Sequence, residues 1–298
     1  MMTLRNALKT IGLVAVSSLL LIPVAQAPAL AATKAKAPVY KLIWSDEFSR
    51  KKGYAPDPTK WTYDTMVGPN SEKEYYTTKR ANSAHDGTGK LVITANLITE
   101  NDPLYNYCLP DLTDTCWYSS GRIKTAGLVG FKYGKITARI KMPKGQGTWP
   151  AFWMLGQDLN QGGTWPDCGE IDIVEGKEEM NNYVFGTVHG PGYSGGQGIG
   201  DVYQHSVPLS DGYHEYSIVW AKNSIKWYFD GKLYHSISPA FVYGNQWVFN
   251  QEFFIILNLA MGGQFVTGGI DPNVKQAKMY IDYVRAYSVN GVGKIVKR

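Results

Sequence analysis

Beyond its first 32 residues the sequence has no long hydrophobic run, and it has no long run of basic residues anywhere. A helix needs about 20 apolar residues to cross a membrane, so we expect no membrane partner. The formal net charge of +5 at pH 7 is spread along the chain, unlike the concentrated basic patch of a nucleic-acid-binding protein. We therefore expect no nucleic-acid partner either.

The chain also lacks any long stretch with the helical period of 3.6 residues, whereas turn residues, including 32 glycines, recur at short intervals. This pattern predicts an all-β fold, a two-sheet antiparallel β-sandwich or jelly roll. Asp230-Gly231 is a strong hairpin signal, and we expect the basic tail after Tyr287 to fray. The predicted strands are Lys41–Ser45, Leu91–Asn96, Tyr133–Met142, Trp149–Leu155, Glu170–Glu175, Asn182–His189, Tyr213–Trp220, Ser224–Phe229, Glu252–Leu259 and Lys278–Tyr287.

Signatures of several other sites are missing. There is no G-x-S-x-G nucleophile elbow, and none of the five histidines has the spacing of a transition-metal site. Internal repeats and a Ser/Thr/Pro-rich linker are absent as well. We therefore expect residues 33–298 to form a single domain without an appended carbohydrate-binding domain.

Residues 1–32 have the pattern of a secretory signal peptide. Arg5 and Lys9 form a positive n-region, residues 11–24 an apolar h-region, and Ala25-Gln-Ala27 or Ala29-Leu-Ala31 a cleavage site. An uncleaved N-terminal anchor is the alternative. Loss of Arg5 and Lys9 with this segment lowers the formal net charge from +5 to +3. We expect a secreted, extracellular protein.

Three cysteines in an exported protein predict one disulfide and one remaining thiol. Cys108 and Cys116 bracket a short loop and are the predicted pair. Cys168 comes directly before an acidic segment. We interpret it as a buried packing thiol, because no base is matched to it.

Three carboxylates alternate with β-branched residues in the segment Gly169-Glu-Ile-Asp-Ile-Val-Glu-Gly176. Residues two apart in a strand share a face, so Glu170 and Asp172 point the same way. Glu175 is five positions from Glu170 and would face the opposite side of a regular strand. A β-bulge at Ile173-Val174 would return it to the same side.

With the bulge in place, Glu170 and Glu175 are about four strand steps apart, roughly 13 Å between Cα atoms. Leaning side chains bring the carboxyls to roughly 5–6 Å, near the ~5–5.5 Å of a retaining glycosidase. Three acids on one face repel, which keeps one protonated near neutral pH. The alternative is an amphipathic strand with a solvated acidic face. Trp149, Trp153 and Trp165 favour the glycosidase, since aromatic faces suit sugar rings.

Five segments carry a family resemblance: Trp149-Pro-Ala-Phe-Trp-Met-Leu-Gly156, Trp165-Pro-Asp-Cys-Gly-Glu-Ile-Asp-Ile-Val-Glu175, Gly186-Thr-Val-His-Gly190, Trp44-Ser-Asp-Glu-Phe48 and Ile281-Asp-Tyr-Val-Arg-Ala-Tyr287. Together they resemble glycoside hydrolase family 16. The E-x-D-x-x-E spacing is similar to its laminarinase-like endo-β-1,3-glucanases and less like the E-x-D-x-E of its lichenases. The resemblance covers nearly the whole chain after residue 32. It implies a concanavalin-like jelly roll with a substrate cleft on the concave face.

The resemblance also implies residue roles. Glu170 would be the nucleophile, Glu175 the general acid/base and Asp172 a residue that tunes the pair. Tyr76 we interpret as structural. The implied substrate contacts are Asn70, Arg122, Trp149, Trp153, Trp165 and His189. The alternatives for these are a polar loop residue, a surface arginine and a hydrogen-bonded core histidine.

A structural Ca²⁺ away from the cleft is implied by the same resemblance, with Glu47, Gly87 and Asp282 as ligands. Oxygen ligands suit Ca²⁺, and the alternative for these residues is capping and salt-bridge duty. No cofactor is expected for catalysis.

One segment departs from the family pattern. After Gly262-Gly263 the family commonly continues Asn-Trp-Pro-Gly, whereas this chain has Gln264-Phe265-Val-Thr. That leaves the linkage preference open. We expect a monomeric, secreted, retaining endo-β-glucanase acting on β-1,3- or mixed β-1,3/1,4-glucan. The alternatives are cleavage of a galactan, chain transfer, and a lectin-like module that binds glucan without cutting it.

Overall fold

Strands are the main regular secondary structure of the computed structural model, which describes residues 36–108 and 115–298. The predicted signal peptide lies outside these residues. Within them, no helix combines the length and the apolar character that a membrane crossing requires. The strands are β1 Tyr40–Asp46, β2 Thr62–Tyr63, β3 Glu74–Tyr76, β4 Ser83–His85, β5 Leu91–Leu97, β6 Tyr118–Ser120, β7 Arg122–Lys124, β8 Val129–Lys132, β9 Gly134–Lys141, β10 Thr148–Gly156, β11 Glu170–Glu175, β12 Tyr183–His189, β13 Ile199–Gln204, β14 His214–Ala221, β15 Ser224–Phe229, β16 Lys232–Ile237, β17 Phe253–Met261, β18 Gln276–Val289 and β19 Lys294–Lys297. The helices are α1 Tyr105–Cys108 and the 3-10 turns Gln157–Gln161, Glu178–Met180, Gly195–Gln197 and Pro239–Val242.

The strands form two sheets. The first has the order β16-β15-β14-β9-β18-β5-β6-β3, with β1 also on β18 and β4 also on β5. The second has the order β13-β12-β11-β10-β17-β7-β2, with β8 on β17 and β19 on β8. Neighbouring strands are antiparallel apart from the parallel pair β3 and β6. The predicted antiparallel two-sheet fold is confirmed.

All ten predicted strands are present, with ends within two residues of the prediction. The predicted fraying of the tail is wrong. Lys294–Lys297 pairs antiparallel with Val129–Lys132, and Ile295 packs on the hydrophobic core. Two apolar residues between lysines were too short a pattern to indicate a strand.

The core lies between the two sheets, and strand periodicity explains which residues enter it. In β10, Phe152 and Met154 are fully buried in the core, while Trp149, Ala151 and Trp153 alternate with them on the opposite face. Residues on that face line a cleft. The second sheet therefore has one face in the core and one face in the cleft.

The predicted β-bulge is present in β11. The register along β10 pairs Trp153 with Asp172 and Phe152 with Val174, so Ile173 is the extra residue. Ile173 and Val174 are both buried in the core, and burying such a side chain contributes roughly 1.5–3 kcal/mol. Two consecutive residues thus point inward, and the next residue returns to the cleft side. The bulge prediction is confirmed.

A tryptophan from the first sheet supports the bulge across the core. Trp227 of β15 is fully buried, and its Nε1–H donates to the backbone carbonyl of Asp172 at 2.8 Å. The indole therefore fixes the backbone between the acidic residues. Sequence patterns alone do not show a contact between residues 55 positions apart.

The cysteine predictions are confirmed. Cys108 and Cys116 form a disulfide with Cα atoms 4.6 Å apart. Cys168 is a buried free thiol, and burial raises its pKa to about 11. A thiol with so high a pKa is a poor nucleophile near neutral pH, which agrees with a packing role.

Candidate active site

Three carboxyl groups from one strand lie together on the cleft face of the second sheet. Glu170 and Asp172 share that face by strand alternation, and the bulge brings Glu175 to it. The strand begins after Gly169, whose φ of 74° falls in the left-handed region. A Cβ there would lie 2.8 Å from Cγ2 of Val248, so a larger residue would displace the start of the strand.

An indole N–H holds each of the two glutamates. Trp165 Nε1 donates to Oε2 of Glu170 at 2.7 Å, and Trp149 Nε1 donates to Oε1 of Glu175 at 2.8 Å. Sequence reasoning predicted that these tryptophans supply sugar platforms or shape the cleft, and it did not predict these hydrogen bonds. Their hydrogen bonds also fix the direction in which each carboxyl points.

His189 lies beside the acidic group, because β12 pairs it directly with Glu170. Its Nε2 is 3.2 Å from Oδ2 of Asp172 and 3.8 Å from Oε1 of Glu170. One atom from each of the three residues lies within 4.8 Å of the others. The imidazole therefore lies next to both carboxyls.

Burial dominates the electrostatics of the cluster. It raises the pKa of Glu170 well above its usual range; the Asp172 carboxylate adds to that rise, and His189 opposes it. Burial, followed by the charge of Glu175, raises the pKa of Asp172. Burial also raises the pKa of Glu175, against the hydrogen bond from Trp149. The cluster thus retains at least one proton near neutral pH, as acid–base work requires.

The cleft holds ≈ 370 Å³ of open space next to these carboxyls. Its lining residues are Pro69, Asn70, Glu72, Arg122, Trp149, Ala151, Trp153, Glu170, Glu175 and Asn258. Four of the predicted substrate contacts are therefore in the lining, and the other two, Trp165 and His189, adjoin Glu170. Sequence reasoning missed Glu72 and Asn258.

Arg122 is held in place before any ligand arrives. Its Nε lies 2.9 Å from Oδ2 of Asp64, and its guanidinium carbon lies 4.9 Å from the centre of the Trp153 ring. Trp153 Nε1 in turn donates to Oδ1 of Asn258 at 2.7 Å. Such fixed donors suit a ligand rich in hydroxyl groups.

The segment that departs from the family pattern lies at the Glu175 end of the cleft. The ring of Phe265 is 5.1 Å from that of Trp149. Lys177 Nζ sits 4.5 Å from the Phe265 ring centre and donates to the Phe265 carbonyl at 3.1 Å. The N–H of Gln264 donates to the Asn70 carbonyl at 2.9 Å. The segment therefore links the Asn70 turn to the residue that holds Glu175.

The predicted Ca²⁺ ligands are Glu47, Gly87 and Asp282. Arg285 donates to both oxygens of Glu47, at 2.9 and 2.7 Å. Asp282 is paired with Lys90 at 2.9 Å and Arg139 at 2.6 Å. As they stand, these carboxylates do not fit a cation, because basic side chains already occupy their oxygens. The calcium site stays a prediction.

Melting curves with and without Ca²⁺ test this site. Because basic side chains already pair with these carboxylates, we expect them not to bind Ca²⁺. EDTA-treated protein should then keep its melting temperature when millimolar Ca²⁺ is added, since a ligand stabilises only the state that binds it. Mg²⁺ at the same concentration controls for ionic strength. A rise specific to Ca²⁺, lost in Asp282→Asn, would instead support the metal site.

Comparisons with known proteins agree with this geometry. The chain is 36% identical to a "Beta-glucanase" of Rhodothermus marinus over 267 residues, covering 85% of this chain and 86% of that protein. It superimposes on the laminarinase catalytic domain of Thermotoga maritima with a TM-score of 0.73 at 39% identity, covering 84% and 98% of the two chains. For the endo-β-1,3-glucanase of Pyrococcus furiosus the TM-score is 0.73 at 40% identity, covering 84% and 95%. A family model described as Glycosyl hydrolases family 16 matches residues 71–285, and the chain belongs to this family.

Proposed function

We propose that the protein is an endo-β-glucanase that hydrolyses β-1,3-glucan or mixed β-1,3/1,4-glucan. The observation that carries the proposal is the bulge in β11, which puts Glu170 and Glu175 on one cleft face. A regular strand would place them on opposite sides of the sheet. The relatives named above are a β-glucanase, a laminarinase and an endo-β-1,3-glucanase, which supports glucan as the substrate.

The reaction we propose is a double displacement with retention at the anomeric carbon. Glu170 attacks that carbon while Glu175 gives its proton to the leaving glycosidic oxygen. Glu175 then removes a proton from water, whose oxygen displaces Glu170 from the sugar. The order of the residues in the E-x-D-x-x-E segment supports these roles. Burial raises the pKa of both glutamates, and the hydrogen bond from Trp165 and the charge of His189 oppose that rise at Glu170.

Asp172 and His189 act on this pair as positioning residues. The charge of Asp172 raises the pKa of Glu170, and the charge of His189 opposes that rise. The Nε2 atom of His189 lies 3.2 Å from Oδ2 of Asp172. A negative charge beside the anomeric centre also favours the oxocarbenium-like transition state. Export of the enzyme and action as a monomer complete the proposal, the former on the pattern of residues 1–32.

Release of reducing ends tests the proposed substrate. We expect activity on laminarin, weaker or equal activity on barley glucan, and none on agarose. Release from agarose alone would show a galactanase. Chain-length exchange without reducing ends would show a transglycosylase, and binding without either would show a lectin-like module.

A prediction concerns Trp227, which supports the bulge. In Trp227→Phe an aromatic ring remains in the core, but the smaller ring leaves space there and the carbonyl of Asp172 loses its donor. Together these should lower stability by about 2–4 kcal/mol. We expect kcat to fall several-fold as well, because Glu170 and Glu175 flank that carbonyl. Urea unfolding and laminarin kinetics measure the two effects.

Trp220→Phe is the matched control. Trp220 is equally buried and donates to the carbonyl of Phe249 at 2.8 Å, away from β11. We expect the same loss of stability with unchanged kcat. Equal kcat losses in both variants would mean that Trp227 has no special part in placing the acids.

A further inference from the structure

A second pair of acidic side chains lies beside the cleft, apart from the three in β11. Glu72 lines the cleft, and Glu74 begins β3 behind it. Glu72 is 6% exposed and Glu74 is fully buried. Two carboxyl groups removed from water at one place are unfavourable unless a cation or a proton compensates them.

The two carboxyls are in each other's immediate neighbourhood. A Cβ placed on Gly68 would clash with both Oε1 of Glu74 and Oε2 of Glu72. The other oxygen of Glu74, Oε2, accepts from the backbone N–H of Met261 at 2.7 Å. Oε1 of Glu74 is buried and has no donor among the residues that the structure describes. An ionised Glu74 would leave that oxygen unsatisfied.

The surrounding hydrogen bonds show which partner is the acceptor. Tyr76 Oη donates to Oε2 of Glu72 at 3.0 Å, and Asn258 Nδ2 donates to Tyr76 Oη at 3.0 Å. The amide oxygen of Asn258 accepts from Trp153. The donors of this series all point toward Glu72, so Glu72 accepts as a carboxylate. A proton between the two carboxyls then belongs on Glu74.

We propose that Glu74 is protonated at Oε1 and donates to the Glu72 carboxylate, so that the pair acts as a positioning element for the cleft wall of Glu72, Tyr76, Asn258 and Trp153. Glu74 would orient Glu72 directly. Through Glu72, Tyr76 and Asn258 it would also orient Trp153. This inference deepens the proposed function and rests on it, since the wall it orders is that of the proposed glucan site. Glu74 itself touches no substrate.

The charges that face the pair agree with one shared proton. Tyr76 belongs to β3 itself, Arg122 faces from β7 and Glu175 from β11. Arg122 is the one cation among these three, and it is also paired with Asp64. The Nζ atom of Lys73 lies over the ring of Trp117. Burial and the charge of Glu72 raise the pKa of Glu74 well above its usual range. Above this raised pKa, loss of the proton would place two adjacent anions beneath the wall.

Two substitutions at Glu74 separate a donor from mere packing. Glu74→Leu fills a similar space without a donor, and we expect KM for laminarin to rise about tenfold with a smaller change in kcat. Glu74→Gln keeps an N–H donor at every pH and should restore KM. Because it cannot lose its proton, it should lack the rise in KM that we expect of the wild type above the raised pKa of Glu74. Glu100→Gln, on the exposed surface, is the control.

Stability provides a readout that does not depend on activity. Since the folded pKa of Glu74 is raised, its contribution to stability is present below about pH 4.5 and is lost as pH rises toward the folded value. Glu74→Gln should therefore flatten the decline of melting temperature with pH. Profiles of KM and melting temperature that overlay those of wild type would overturn the proposal. If laminarin is not cleaved but the melting profile flattens, the proposed function fails while the shared proton stands.

Discussion

Glu170→Gln is expected to abolish hydrolysis, with kcat falling on the order of 10⁴-fold or more. The amide cannot form the bond to the anomeric carbon that the proposed mechanism requires. Its oxygen still accepts from Trp165, which donates to Oε2 of Glu170 at 2.7 Å. Glucan binding should therefore be nearly intact. Laminarin turnover and calorimetric titration with a laminarin oligosaccharide measure the two properties.

The same substitution should not weaken the fold. Burial raises the pKa of Glu170, so the folded state binds a proton more tightly than the unfolded chain. Stability from this group is present below about pH 4.5 and lost as pH rises toward the folded pKa. We expect Glu170→Gln to melt like wild type at pH 4 and no lower at pH 8.

Glu100→Gln serves as the control, because it makes the same chemical change at an exposed position. It should leave turnover unchanged. Substantial turnover in Glu170→Gln would remove this residue from the nucleophile's role. A large drop in melting temperature would show that the carboxylate stabilises the fold instead.

Glu175→Ala is expected to lower kcat on laminarin about 10²–10⁴-fold, the usual contribution of a general acid and base. The loss should be much smaller for the first step on an aryl glucoside, whose leaving group needs no protonation. Azide fits the space left by the carboxyl and attacks the glycosyl enzyme without help from a base. We expect azide to restore part of the rate and to give a β-glycosyl azide.

Glu178→Ala is a nearby comparison, since Glu178 lies three positions further on and outside the cleft lining. Its kcat on laminarin should equal that of the wild type, and added azide should not change it. No rescue of Glu175→Ala, or an α-glycosyl azide, would contradict the assignment of Glu175 as acid/base in a retaining reaction.

The fold and the acidic cluster were accessible from the sequence because both depend on local patterns. Strand alternation shows that Glu170 and Asp172 share a face. The five-residue step to Glu175 demands a bulge if all three cooperate, and Ile173 with Val174 supplies two residues that the core can bury. The short loop between Cys108 and Cys116 likewise favoured a local disulfide.

Contacts between distant residues were not accessible in the same way. Asp64 orients Arg122 from 58 positions away in the chain, and Asn258 reaches Trp153 over 105. No period or motif in one sequence reports such a pair. The double role of Trp149 and Trp165 was missed for the same reason, because an indole is an aromatic face and also an N–H donor.

The predicted calcium ligands show a related limit. The positions of Glu47 and Asp282 resemble a family pattern, but the sequence does not say which cations lie near them. The fold brings Arg285, Lys90 and Arg139 to these carboxylates. Ligand type alone therefore could not decide between a metal and salt bridges.

The anomeric configuration of the first product tests most directly whether Glu170 and Glu175 work together on one sugar. Proton NMR can follow cleavage of a laminarin oligosaccharide before the new reducing end mutarotates. Direct attack by Glu170, with Glu175 on the same cleft face, predicts that the β-anomer appears first. Initial appearance of the α-anomer would mean that a water attacks in place of Glu170, and the proposed double displacement would be wrong.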